Sequence, residues 1–243
     1  MGAPYYEDDL VTLYHGDCLE ITEWLAADVL VTDPPYGIGW SRGVTKGAKG
    51  PRRDQVNEGI ANDGDTSTRD RALAAWGGER PALVFGSLRA AYPSGWKRML
   101  VFQKPLHSGL FGNRSPWRSD WEPIFVIGDW PDQTPTRSSV FKTSELAASG
   151  YNGYSTRAGH SHAKPDDVMA RLLETCPPGT IADPFAGSGS TLFAARNSGR
   201  RAIGVELEER YCELIAKRLG QAAFDFSTLD DDGPRSSGWA GAA

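Results

Sequence analysis

Cysteine is scarce in this 243-residue chain: Cys18, Cys176 and Cys212 are the only three, far apart and in no CxxC spacing. So scattered and odd a set excludes a disulfide framework and argues against a structural zinc site. It points to a reducing compartment, with small buried or half-buried thiols as the expectation. Long apolar runs are absent too, and no stretch approaches the roughly 20 residues that a membrane-spanning helix needs. The opening residues, MGAPYYEDDLV, hold no basic segment leading into an apolar one, so no secretory signal is readable. Histidine is rare; His160 and His162 stand close together, but no nearby cysteine or acid pair completes a ligand set, and no metal is expected. No internal repeat is visible. Positive charge is not in excess either. The formal net charge is −5, which by itself speaks against a nucleic-acid partner.

The distribution of charge says more than its sum. Residues 221–243 hold Asp225, Asp230, Asp231 and Asp232 against Arg235, and Glu7, Asp8 and Asp9 form a second acidic group. Between Ser41 and Arg53, in contrast, Arg42, Lys46, Lys49, Arg52 and Arg53 occur with no acid among them. Such a stripe can meet phosphates even on an acidic protein, or be a solvated run in a loop.

With 40% hydrophobic residues, the chain has enough apolar surface for a single α/β domain. Strand patterns occur at Leu10 to Tyr14, Asp28 to Thr32, Pro81 to Gly86, Met99 to Gln103, Pro123 to Ile127, Thr180 to Asp183 and Ala202 to Glu206. Helical patterns occur at Cys18 to Ala26, Thr68 to Trp76, Pro165 to Thr175, Thr191 to Asn197 and Glu208 to Leu219. Alternation of the two predicts a mostly parallel sheet covered on both faces. Residues 37–64 read as a long loop and 128–160 as a small polar insertion. The acidic stretch 221–243, rich in Gly, Ser, Asp and Ala, reads as a disordered tail beyond a single domain over 1–220.

Two motifs carry chemistry. The first is Asp183-Pro184-Phe185-Ala186-Gly187-Ser188-Gly189-Ser190-Thr191, placed between a strand and a helix. Its glycines let the backbone turn sharply and approach a ligand at the helix N-terminus. Glu206, at the end of the next strand, is placed to accept from both ribose hydroxyls of a nucleoside. No Gly-Lys-Ser/Thr follows, which excludes a phosphate-cradling P-loop, and the third glycine of the dinucleotide fingerprint is missing. The second motif is Asp33-Pro34-Pro35-Tyr36, where a strand ends. Pro34 and Pro35 remove two backbone donors and hold the chain extended, so that the Pro34 carbonyl and the Asp33 carboxylate form a pair of acceptors. An exocyclic amine donating to both would turn its lone pair out of ring conjugation, while Tyr36 offers an aromatic face to the base. Cys176-Pro177-Pro178 is set aside as a nucleophile because Cys176 closes a helix before a turn.

Together the motifs resemble those of the amino-methyltransferases, with their DPPY and FxGxG segments. The order, catalytic motif first and cofactor loop about 150 residues later, is similar to the β group of DNA methyltransferases, the DPPY-type adenine-N6/cytosine-N4 enzymes with a circularly permuted cofactor half. The resemblance runs from Leu10 to Leu219 and implies that the insertion near 128–160 is a short target-recognition segment. It implies a permuted Rossmann-like fold with a seven-stranded, mostly parallel sheet and one antiparallel strand, and S-adenosylmethionine as cofactor. It also implies that Asp17 meets the cofactor adenine. His160 to Pro165 resembles an HxxxKP segment closing over the methionine end, with Lys164 assisting. Lys104 and Trp121-Glu122 fall in the strand pair at the sheet's far edge.

The expected activity is transfer of a methyl group to N6 of adenine in double-stranded DNA, within a restriction-modification setting. Asp33, Pro34, Pro35 and Tyr36 would be catalytic, and Asp17, Lys164, Asp183, Phe185, Gly187, Ser188, Gly189 and Glu206 would bind the cofactor. Arg42, Lys46, Lys49, Arg52 and Arg53 would bind DNA, and the base would be flipped out of the duplex. A cytoplasmic location in a bacterial or phage-infected cell and a homodimer are further expectations. Cytosine N4 is the alternative target. A non-catalytic nucleoside-binding module, or a methyltransferase of RNA or protein, is the alternative from another class.

Overall fold

The computed structural model describes residues 2–39, 60–105, 116–132, 137–143 and 163–227. Nine strands occur among them: β1 (Tyr6–Glu7), β2 (Val11–His15), β3 (Val29–Thr32), β4 (Ala82–Phe85), β5 (Trp96–Gln103), β6 (Trp121–Ile127), β7 (Val140–Lys142), β8 (Ile181–Asp183) and β9 (Ala202–Glu206). Four α-helices accompany them: α1 (Ser67–Trp76), α2 (Asp166–Leu173), α3 (Ser190–Asn197) and α4 (Glu209–Ser227). The strands form one sheet in the order β1-β2-β9-β8-β3-β4-β6-β5-β7. From β2 to β4 every pairing is parallel, whereas β6 runs antiparallel to both β4 and β5.

Seven of these strands are the expected ones; β1 and β7 are additional. Two or three residues long, they are too short to show a period, and each is defined by its pairing with β2 or β5 at a sheet edge. β1 is a second antiparallel strand beside the expected one. β7 lies within the 128–160 insertion, which therefore extends the sheet.

Both faces of the central strands are buried, which is why β3 and β4 read as unbroken apolar runs. Alternate side chains go to opposite layers. Val29, Val31, Leu83 and Phe85 pack with Met169 and Leu172 of α2, Leu192 of α3 and Ile215 of α4. Leu30, Ala82 and Val84 pack on the other side with Trp24, Ala72 and Trp76. Each such fully buried large side chain contributes about 1.5–3 kcal/mol. The rings of Trp24 and Trp76 stack at 5.9 Å, and the Arg80 guanidinium caps Trp76 at 3.5 Å.

Two helix boundaries differ from expectation. Between Cys18 and Ala26 only a 3₁₀ helix forms, over Glu23–Ala26. Asp17 diverts the rest: its side chain accepts from Leu19 N, and its carbonyl from Glu20 N and Ile21 N, an Asx-type turn that competes with helix. At the other end, α4 continues past Leu219 to Ser227, because Gln221, Ala222 and Ala223 are good helix formers. The expected tail therefore begins with helix, and residues 228–243 lie outside the described residues.

Candidate active site

The functional motifs sit at the carboxyl ends of adjacent parallel strands. β8 and β3 are neighbours in the sheet, while their following strands β9 and β4 lie on opposite sides of them. That reversal opens a crevice where ligands of α/β sheets bind. Asp183 ends β8, Glu206 ends β9, and Asp33 follows β3 directly. Thr32 Oγ1 donates to Asp183 Oδ1 at 2.7 Å, joining the two motifs at their bases.

On the β9 side the backbone forms a cradle. Gly187 and Gly189 both adopt positive φ, +52° and +83°, a region that disfavours side chains. A Cβ on Gly187 would have only the Phe185 carbonyl within 4 Å, at 3.9 Å, so this turn presents bare backbone to open space. A Cβ on Gly189 would instead press on Ile215 at 2.9 Å, so this glycine lets α3 pack on α4. Glu206 sits beside the turn: Gly187 N donates to its Oε2 at 2.7 Å and Glu208 N to its Oε1 at 2.8 Å. Each oxygen keeps a further lone-pair site for a ligand hydroxyl. Burial pushes the Glu206 carboxyl up to about 7 against those two backbone donors, and that of Asp183 up to about 6 against donors that include Thr32. Asp17 closes the same edge from the turn after β2, where Gly16 N donates to the Glu206 carbonyl at 2.9 Å. Ser188 and Phe185 belong to the turn itself, and Arg218 anchors it by donating to the Ser188 carbonyl at 2.8 Å. Bare glycine backbone, a helix N-terminus and a buried diol acceptor fit a nucleoside-bearing cofactor.

On the β4 side lies a charged cluster. Asp33 Oδ1 accepts from the Tyr36 hydroxyl at 2.7 Å, and Oδ2 from Lys164 Nζ at 2.5 Å. Lys164 Nζ also lies 3.3 Å from Glu122 Oε2, and Glu122 Oε1 accepts from Lys104 at 2.7 Å. The side chain of Lys164 is 7% exposed and that of Glu122 16%, whereas Lys104 at 26% and Asp33 at 27% remain partly open to solvent. Burial would push Glu122 up, but the ammonium groups of Lys164 and Lys104 outweigh it and hold its carboxyl well below the usual carboxylate range. Burial and the carboxylates of Asp33 and Glu122 push the Tyr36 hydroxyl well above its ordinary range, so it stays a donor. Pro34 is buried and Pro35 half-buried. The loop beyond Tyr36 is clamped from 60–66: Asp63 Oδ1 accepts from Gly37 N at 2.7 Å, and the Asp63 carbonyl from Gly39 N at 2.7 Å.

The fold thus brings together Asp17, Asp33, Tyr36, Lys164, Asp183, Glu206 and the glycine turn. The Lys164 side chain lies on the Asp33 side of the crevice; only its main-chain carbonyl reaches towards the cradle, accepting from Ser190 Oγ at 3.1 Å. Lys104 and Glu122 join the site without having been assigned to it from sequence. The signal available was a lone acid opening the apolar run of β6, with a lysine just after β5. Arg42, Lys46, Lys49, Arg52 and Arg53 lie outside the described residues, as do His160 and His162. The cysteines take no part: burial pushes the thiols of Cys18, Cys176 and Cys212 up to about 12.

Residues 97–218 match the family profile of the N6/N4 methyltransferases, described as DNA methylase. Type II methyltransferase M.ScaI of Streptomyces caespitosus is 26% identical over 90% of this chain and 84% of its own. Among solved structures, the M1.HpyAVI complex with SAM superposes with a TM-score of 0.54 at 19% identity, over 86% of this chain and all of the other. The cytosine-N4-specific PvuII DNA methyltransferase does so with a TM-score of 0.59 at 14% identity, over 88% of both chains. The last two likenesses concern the fold.

Proposed function

This chain belongs to the N6/N4 DNA methylase family, and from that membership we propose that it methylates N6 of adenine in double-stranded DNA, with S-adenosylmethionine as donor. The observation that carries the proposal is the placement of Asp33. Its partly exposed carboxylate is fixed by two donors and joined through Thr32 to the loop that would form the cofactor cradle.

S-adenosylmethionine, when bound, supplies a sulfonium-activated methyl group. Glu206 accepts the ribose hydroxyls, Asp17 meets the adenine edge, and the bare backbone of Gly187 lets the cofactor approach; Asp183, Phe185, Ser188 and Gly189 shape that cradle. Asp33 accepts a hydrogen from the target amine on a lone-pair site left free by Tyr36 and Lys164, and the Pro34 carbonyl accepts the other. Held this way, the amine points its lone pair at the methyl carbon. Formation of the nitrogen–carbon bond would break the carbon–sulfur bond, leaving the sulfonium as a neutral thioether and the amine with one proton too many; Asp33 would take that proton and, being partly exposed, pass it to water. Tyr36, its hydroxyl tied to Asp33, offers its ring to the base, with Pro35 keeping the strand end extended. The base must leave the stack to reach this crevice, and the 41–53 segment, with Arg42, Lys46, Lys49, Arg52 and Arg53, grips the backbone.

Two finer readings belong to the same proposal. The β-group permutation is supported by chain order, since β3 with its Asp33 precedes β8 and the glycine turn by about 150 residues yet lies beside them. Adenine is favoured over cytosine because Asp stands first in the motif, and the enzymes it resembles with Asp there mostly modify adenine. Asp33→Ala tests the core of the proposal. Methyl transfer to DNA should vanish while cofactor affinity, read by calorimetry, stays nearly unchanged; retained turnover would overturn the assignment.

A further inference from the structure

The geometry points to Lys164 as a positioning residue for Asp33, with Glu122 and Lys104 as the charges that hold it in place. This rests on the reading of Asp33 given above and extends it to the groups that pair with Asp33 and with one another.

Three distances decide where the Lys164 ammonium acts. It has three N–H donors, and three acceptors surround it: Asp33 Oδ2 at 2.5 Å, Tyr36 Oη at 3.3 Å and Glu122 Oε2 at 3.3 Å. All three lie on the amine side of the crevice. The ring of Phe85 packs against the same nitrogen at 4.8 Å. A cation so enclosed is tolerable only because two carboxylates pair it. Burial would lower its affinity for the proton, but Asp33 and Glu122 outweigh burial and raise it, so the ammonium persists.

The consequence for Asp33 is both geometric and electrostatic. With Lys164 on one oxygen and Tyr36 on the other, the carboxylate plane cannot turn, and its remaining lone pairs keep a fixed direction. Besides these two groups, Asp33 faces negative charge from Glu122 on β6 and from Asp183 on β8, with Lys104 compensating Glu122 from the end of β5. Without the Lys164 cation, three carboxylates would crowd one crevice with no ammonium between them, an arrangement that favours a proton shared among them. The Lys164 carbonyl, meanwhile, accepts from Ser190 at the start of α3. One residue therefore spans the amine site and the helix behind the glycine turn.

The test is the pH profile of single-turnover methyl transfer to unmethylated double-stranded DNA, together with calorimetric cofactor affinity. Lys164→Met should slow transfer about a hundredfold through lost alignment. It should also move the acid limb of the profile up, with cofactor affinity nearly unchanged. Lys164→Arg should keep the limb near that of the parent while losing rate. Glu122→Gln should move the limb down, since it removes a negative charge and leaves Lys164 to Asp33 alone; it decides the matter if Lys164→Met does not fold. Limbs that stay in place in Lys164→Met and in Glu122→Gln would overturn the proposal. So would a large loss of cofactor affinity in Lys164→Met with its limb unmoved. Asp33→Ala separates the two levels: an active Asp33→Ala removes the reading of Asp33 itself, whereas an inactive one beside unmoved limbs removes only the role of Lys164.

Discussion

Removing the Glu206 carboxylate should weaken cofactor binding and abolish most of its pH dependence. Glu206 is 8% exposed and accepts from Gly187 N and Glu208 N. Glu206→Ala deletes a charged acceptor for the ribose hydroxyls, an interaction worth about 1.5–3 kcal/mol, which corresponds to about 10- to 150-fold in affinity. The pH dependence follows from the carboxyl being pushed up to about 7 by burial. If the ionised form is the one that binds, affinity of the parent should rise about tenfold from pH 6 to pH 8. In Glu206→Ala that rise should be gone, and any dependence left below about pH 6 belongs to Asp183, whose carboxyl is pushed up to about 6. The protein without cofactor carries the linked effect on stability. A raised carboxyl binds its proton more tightly in the folded state, so its contribution is present below its ordinary 4.5 and is lost as pH rises through about 7. The shift corresponds to about 3 kcal/mol, and Asp183 adds an effect of the same sign. Thermal melting of the cofactor-free protein should therefore fall between mildly acid and mildly alkaline buffer and recover on adding S-adenosylmethionine. Calorimetric titrations across that range give the affinities. Equal affinity for parent and Glu206→Ala, together with a flat pH profile for the parent, would refute the reasoning.

Gly37→Ala should impair methyl transfer far more than cofactor binding. Gly37 has φ of +72°, and a Cβ there would lie 2.5 Å from the Asp65 backbone, so the loop after Tyr36 must move; comparison of turnover with calorimetric affinity checks this, and equal losses in both would contradict it. Neutralising Arg42, Lys46, Lys49, Arg52 and Arg53 should weaken DNA binding and flatten its salt dependence, since each phosphate contact releases counterions. An unchanged salt slope would make the basic run a solvated surface.

The parts of the fold that sequence made legible are those whose signal is local. β3 and β4 stand out as apolar runs because both faces of the sheet are covered. The glycine turn is legible because Gly187 and Gly189 adopt a backbone that other residues resist. β1 and β7 are not legible because two or three edge residues carry no period. The 3₁₀ segment carries a helical pattern because Leu19, Ile21, Trp24 and Leu25 have the spacing, while the Asx-type turn at Asp17 competes for the backbone donors. The charged cluster was the least legible. Lys164 and Asp33 are 131 residues apart, and Glu122 reaches them from the antiparallel strand β6. Nothing local to Trp121-Glu122-Pro123 tells that its acid faces a lysine near α2. The side chain of Lys164 contacts Asp33, Tyr36 and Glu122, and its carbonyl reaches Ser190 beside the glycine turn.

The most direct test of the central claim is the identity of the methylated nucleoside. The protein is incubated with labelled S-adenosylmethionine and unmethylated double-stranded DNA, and the digested product is analysed by mass spectrometry. The account predicts label in N6-methyladenine, absent when Asp33→Ala replaces the parent. N4-methylcytosine alone would contradict the choice of base, and no labelled nucleoside at all would contradict the account.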